Sequence, residues 1–305
     1  MPAHHRFHPS SDPRDNPQSL EELLRISLDE LHRCDIARMN LLCATGLPGA
    51  ERLDIDRCLY MLDKYASRVE SETRRHLYRV ADPRYAAHYH NSPVRFRVEM
   101  MAQTLFEDCG VRYNSNRVRS PDFRNSKDLF IHGMIEDANG GTCASLPILY
   151  AAVGRRLRYP IKIVAAKGHL FCRWDSADCK LNFEVGGAGY AYQPDDYYKR
   201  WPRPISDEEI SRGEFLTSMS PARDLATCLE ARGYCLEDTG RIPEAIQAYE
   251  NSCRLDPTSY KCRAMLDRLK HPKPKMVWQP RFVPHISRGT TPSALPTTGF
   301  RSGQR

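Results

Sequence analysis

A change of hydrophobic period at Gly140-Gly141 limits what this chain can fold into. After the glycine pair, the spacing of Leu146, Leu149, Tyr150 and Val153 predicts a helix from Thr142-Cys143 to about Leu157, stopped by Pro160. Three short β-type runs then follow with no helix between them: Ile161 to Ala165, His169 to Trp174 and Lys180 to Val185. This is an α+β order, in which a small antiparallel sheet packs on the helix, and it excludes the βαβ alternation of a nucleotide-binding sheet. Gly140-Gly141 is no phosphate loop either, because no Gly-Lys-Ser/Thr follows it.

The half before the glycine pair reads as helical. Ser19-Leu-Glu-Glu22 has the form of a capping box ahead of Leu20, Leu23, Leu24, Ile26, Leu28 and Leu31. A second helix starts at about Asp54 and carries Cys58, Leu59, Leu62, Tyr65, Ala66 and Val69 on one face, and a third runs from Ser92-Pro93 to Cys109-Gly110. Beyond the strands, Gly233, Leu236, Gly240, Ala245, Tyr249 and Pro257 fall at the intervals of one tetratricopeptide repeat. One repeat cannot bury its own apolar face, so Tyr260 to Leu269 is expected to cap one side and the core to cover the other. The expected organisation is a disordered stretch over 1–17, a folded domain with its helical segment over 18–219, a repeat-type helical segment over 220–270 and a disordered basic tail over 271–305.

Composition narrows the function classes. The net charge of +7 resides almost wholly in the tail, where Lys273, Lys275, Arg281, Arg288, Arg301 and Arg305 face no acid, so a nucleic-acid partner is not expected. No run is apolar enough for a membrane span, and the first residues lack the apolar core of a signal peptide; a cytoplasmic protein is expected. The eleven cysteines are odd in number, contain no CxxC pair and are scattered from Cys34 to Cys262, which suits a reduced compartment. No metal or cofactor is expected; His88-Tyr-His90 lacks third and fourth ligands at suitable spacing.

Among the cysteines, Cys143 stands apart because it follows two glycines at a helix start, where unpaired backbone N–H groups favour a thiolate and an oxyanion. His169 opens the second β-run. A turn over Asp175 to Asp178, or over Ser176-Ala177, places it directly opposite Glu184, with Asn182 as the substitute partner if a bulge intervenes. Cys143 as nucleophile, His169 as base and Glu184 as the group orienting the base is one reading; a plain cross-strand polar pair of His169 and Glu184 is the other. His132 either lines the same site or is satisfied beneath the helix.

The segments Gly141-Thr-Cys-Ala-Ser-Leu-Pro-Ile-Leu-Tyr150, Lys167-Gly-His-Leu-Phe171 and Asn182-Phe-Glu184 resemble the bacterial transglutaminase-like family of the SirB type, and the similarity extends from about Asp35 to Pro257. The resemblance implies a papain-like fold with a Cys–His–acid triad on Cys143, His169 and Glu184, no cofactor, and a protein or peptide substrate. Its implied activity is acyl transfer to water or an amine at an amide or ester; the alternative is a non-catalytic scaffold that binds a protein partner through the repeat. Two departures stand out: Glu184 is found where the wider superfamily more often has Asp, and Arg158 where relatives often have Gly.

Overall fold

The computed structural model describes residues 16–117, 121–137, 140–186 and 190–272. The outer parts of both expected polar ends, 1–15 and 273–305, lie outside these residues, as do 187–189 of the glycine-rich stretch after the last predicted strand. The described chain up to His271 belongs to one compact unit.

Among the described residues six α-helices precede the glycine pair: α1 (Leu20–Arg25), α2 (Ile36–Ala44), α3 (Ile55–Arg75), α4 (Pro83–Ala86), α5 (Pro93–Glu107) and α6 (His132–Glu136). Then come α7 (Leu146–Arg156), the strands β1 (Ile161–Ala166), β2 (His169–Asp175), β3 (Lys180–Glu184) and β4 (Ala191–Tyr192), two one-turn helices α8 (Asp195–Tyr198) and α9 (Asp207–Ser211), and finally α10 (Pro221–Asp238), α11 (Ile242–Leu255) and α12 (Tyr260–Lys270). Their starts are written in capping chemistry: the side chains of Asp54, Ser92, Ser220 and Ser259 each accept an N–H of the helix that follows, with proline in the first turn of α5 and α10. At α1, Ser19 accepts from Glu22 N–H, while the Glu22 carboxylate takes the Gln18 N–H instead of closing the box on Ser19. Among the described residues no helix is long and apolar enough to cross a membrane.

Helix α7 is the centre of the fold. Leu146 to Gly154 are all buried, so this helix has no solvent face over nine residues. On one side it meets the sheet, an antiparallel meander in the order β1-β2-β3-β4, through Ile161, Ile163, Cys172, Trp174 and Phe183; α2 and α3 lie in the same core. The opposite sheet face, carrying Val164, Ala166 and Phe171, is covered by Tyr198, Ile205, Phe215 and Leu216. At the end of α7, Arg156 pairs with Asp35 and Asp63, and Arg155 with the buried Asp224 of α10, cations placed where the helix dipole is negative.

The register differs from the expected one. Asp175 pairs with Lys180, Arg173 with Asn182 and Cys172 with Phe183, because the turn is made by Ala177-Asp178 between Ser176 and Cys179, which exchange backbone hydrogen bonds of 3.0 and 3.4 Å. The strands are thus displaced by two positions, and Phe171, not His169, falls opposite Glu184. A two-residue displacement preserves the face of every side chain, so His169 and Glu184 remain on one face as diagonal neighbours.

The C-terminal helices share the main core. Asn40 of α2 donates to Cys228 of α10 at 3.5 Å, and Arg232 donates to the Cys43 and Thr45 carbonyls at 2.9 and 2.7 Å. Helices α10 and α11 approach so closely that a Cβ on Gly233 would stand 2.3 Å from the Tyr249 ring. Gly233→Ala should therefore destabilise the protein by about 1–3 kcal/mol through overpacking, read as a lower urea midpoint. Arg158 adopts φ +60° just past the end of α7, where Tyr159 N–H reaches Gly154 O at 2.9 Å and Arg158 N–H reaches Arg155 O at 3.0 Å. This is the left-handed cap that glycine fills without strain, so Arg158→Gly should raise the same midpoint, by about 1 kcal/mol in stability.

Candidate active site

Cys143 lies in a turn before α7, not in its first helical residues as the apolar spacing suggested. Pro147 lies in the first turn of the helix that starts at Leu146, and residues 142–145 form a tight lead-in: Ser145 and Leu146 N–H both donate to Thr142 O, at 3.2 and 3.0 Å. Thr142 N–H is taken by Ser145 Oγ and Ala144 N–H by Thr142 Oγ1. The Cys143 amide instead faces the Tyr113 hydroxyl. The glycine pair makes this turn possible. Gly140 has φ +77°, and a Cβ on Gly141 would stand 2.4 Å from Met134 Sδ and 2.7 Å from Leu146 Cγ. Gly141 in turn bridges to Tyr113, which fixes that tyrosine beside the cysteine.

His169 opens β2 with only 11% of its side chain exposed. Its Nε2–H donates to both oxygens of Glu184, at 2.9 and 3.0 Å; since a carboxylate only accepts, this fixes the proton on Nε2 and leaves Nδ1 for another partner. Burial works against the charged ring, but hydrogen bonds from the Cys143 side and the Glu184 side, together with the Glu184 charge, outweigh it and raise His169 to about 9. The diagonal offset suits glutamate: the extra methylene spans a longer gap than directly opposed residues leave.

Sequence reasoning missed three aromatic residues here. Tyr198 is fully buried, stacks on Phe171 at 3.7 Å between ring centroids and donates its hydroxyl to Glu184 Oε1 at 2.6 Å; burial and the neighbouring carboxylate hold its phenol well above the usual range, so it stays a donor. Trp201 meets the His169 ring edge-on at 4.8 Å. Tyr113 is raised by burial and by the charges of Cys143 and Glu184. The run Asp195-Asp-Tyr-Tyr-Lys-Arg-Trp201 was the available signal, an aromatic-rich segment with no helical or strand period.

The other candidates lie elsewhere. Asn182 accepts from Arg173 at 2.6 Å and donates to Gln193 O and Asp195, so it holds α8 against the sheet instead of serving His169. His132 is buried, hydrogen-bonded to Ser126 Oγ at 3.2 Å and pushed down to about 4 mainly by burial, hence neutral. His88 pairs with the buried Glu99 at 3.0 Å. Among the described residues no three His, Cys, Asp or Glu side chains converge as metal ligands.

A cysteine ahead of a buried helix thus stands beside a histidine that a carboxylate holds on an antiparallel sheet. Residues 56–229 match the family model described as the transglutaminase-like superfamily. That is more than half of the chain, and the protein belongs to this superfamily. No curated protein and no solved structure matches it.

Glu184→Gln removes the charge that offsets burial, so His169 should titrate far below 9, at or under the ordinary imidazole value, in an NMR pH titration of its ring protons. The sign for stability follows from the raised value. The contribution of charged His169 is complete below about 6.5 and is lost as pH rises through about 9. Stability of the unmodified protein should fall across that window relative to the variant, by on the order of 1–3 kcal/mol.

Proposed function

We propose that this protein is a cysteine acyltransferase or hydrolase acting on an amide or ester, with Cys143 as nucleophile, His169 as base and Glu184 as the residue that orients the base. The observation that carries this reading is the two-pronged Glu184 bond to His169 Nε2, which aims the other ring nitrogen at the cysteine. The Cys143 Sγ proton passes to His169 Nδ1, and the sulfur attacks the carbonyl carbon. The oxyanion forms beside the Cys143 amide. His169 then protonates the leaving amine or alcohol as the thioester forms, and water or a second amine, giving its proton to His169, releases the acyl group. Protein or peptide substrates fit a half-buried cysteine beside Tyr113, with the exposed Trp201 against its histidine.

The finer affiliation is the SirB type, supported by the Gly-Thr-Cys and Gly-His segments and by the helices that follow the core. We read α10 and α11 as one tetratricopeptide hairpin over 220–270, docked on the 18–219 domain and capped by α12, with a protein partner as its use and the cytoplasm as its compartment. The close Gly233–Tyr249 contact and the left-handed Gly240 support the hairpin reading.

The test is a site-resolved iodoacetamide time course at neutral pH. Cys143 should outpace every other cysteine, the fair comparisons being the half-buried Cys109, Cys179 and Cys253. Burial raises several of the others: Cys58, Cys228 and Cys235 to about 12, Cys109 to about 11, and Cys43, Cys172 and Cys262 well above their usual value. His169→Ala should slow Cys143 by roughly tenfold or more. Equal rates at Cys143 and Cys179, with His169→Ala silent, would favour the scaffold.

A further inference from the structure

The segment that follows Tyr198 is held rigidly beside the base. Tyr198 is locked by Phe171 and Glu184, Arg200 and Trp201 N–H both donate to Tyr197 O at 3.1 and 3.0 Å, and Ile205 N–H closes the loop on Lys199 O at 2.9 Å. Trp201, 41% exposed, stands against His169. A Cβ built on Gly168 would lie 3.8 Å from Pro202 Cγ and 4.0 Å from Arg203 Nε. The guanidinium of Arg203 therefore lies over the backbone one residue before the base.

The charges on this loop are not spent locally. Arg200 and Arg203 are exposed, and neither side chain has an ion pair or hydrogen bond among the described residues. The acids around them are engaged: Asp195 binds Arg173 and Asn182, Asp196 pairs with Lys199 at 3.4 Å, and Glu209 pairs with Lys167 at 2.7 Å. Asp207, in the first turn of α9, is left as the one uncommitted acid of the stretch, so positive charge is in excess beside the site. Arg200 and Arg203 lie on either side of the exposed Trp201 along the same short loop, and guanidinium groups next to an indole match a carboxylate next to an apolar group.

We infer that Arg200 and Arg203 form a carboxylate-reading rim, so that the acyl substrate of this site is a peptide with an acidic residue flanking the carbonyl that Cys143 attacks. The inference rests on Cys143 being the reacting thiol. Because the rim is solvated, each charge acts weakly, and its effect falls on capture of the substrate more than on the chemical step.

The experiment compares alkylation of Cys143 by iodoacetate, which is anionic, with that by neutral iodoacetamide, in the full chain and resolved by site. The imidazolium of His169 favours iodoacetate in every variant alike, so the change in the ratio of the two rates isolates the rim. Arg200→Glu with Arg203→Glu should lower that ratio roughly three- to tenfold. The double Lys variant should keep it, and added salt should shrink the difference. An unchanged ratio in the double Glu variant overturns the inference. A slow iodoacetamide reaction at Cys143 counts against the nucleophile instead, and the ratio still reports the rim. As a second readout, a glutamine peptide flanked by glutamates should protect Cys143 from iodoacetamide at lower concentration than its lysine-flanked counterpart; equal protection overturns the substrate assignment.

Discussion

The rest of this structure depends on the burial of α7 on every side. A helix whose residues Leu146 to Gly154 all lie in the core must be enclosed, and each large side chain so enclosed contributes roughly 1.5–3 kcal/mol. The sheet, the N-terminal helices and α10 are the enclosure. Its two terminal arginines then reach Asp35, Asp63 and Asp224, so one helix ties chain segments far apart in sequence. The turn entering this helix carries Cys143, and its position is accordingly as fixed as the core itself.

The histidine is held from the other layer. Glu184 is gripped by Tyr198, and Tyr198 by its stack on Phe171, so the carboxylate that raises His169 is anchored by the small core on the far face of the sheet. Cys143 and His169 are therefore braced by different apolar clusters, the first by the core around α7 and the second by the small core on the far face of the sheet. A site built this way is preorganised by packing, with little left to loop motion.

Arg158 shows that the cap of α7 is dictated by geometry and not by residue preference. The two cap hydrogen bonds form although an L side chain sits at positive φ. The stability forgone is small beside that of the buried helix, which is why the fold tolerates it. Gly140 and Gly141 are less replaceable, because side chains there would collide with the backbone of Asn114 and the side chains of Met134 and Leu146.

By itself the sequence determined the order of the principal elements, since helix caps, the proline stop and the two apolar periods are local properties: the strands at 161, 169 and 180 and the helix starts at Asp54 and Ser92 follow from residues within a few positions of each, whereas the two-residue β4 and the one-turn α8 and α9 carry no such period. It also singled out Cys143, His169 and Glu184, through a glycine pair, a strand start and the parity of a hairpin. Tertiary structure alone decided how these residues meet. Turn choice moved the hairpin by two positions, a shift that period-two patterning cannot detect because it leaves every face unchanged. Only the fold brought Tyr113, Tyr198 and Trp201 to the site, since contacts between residues tens of positions apart leave no local period to read.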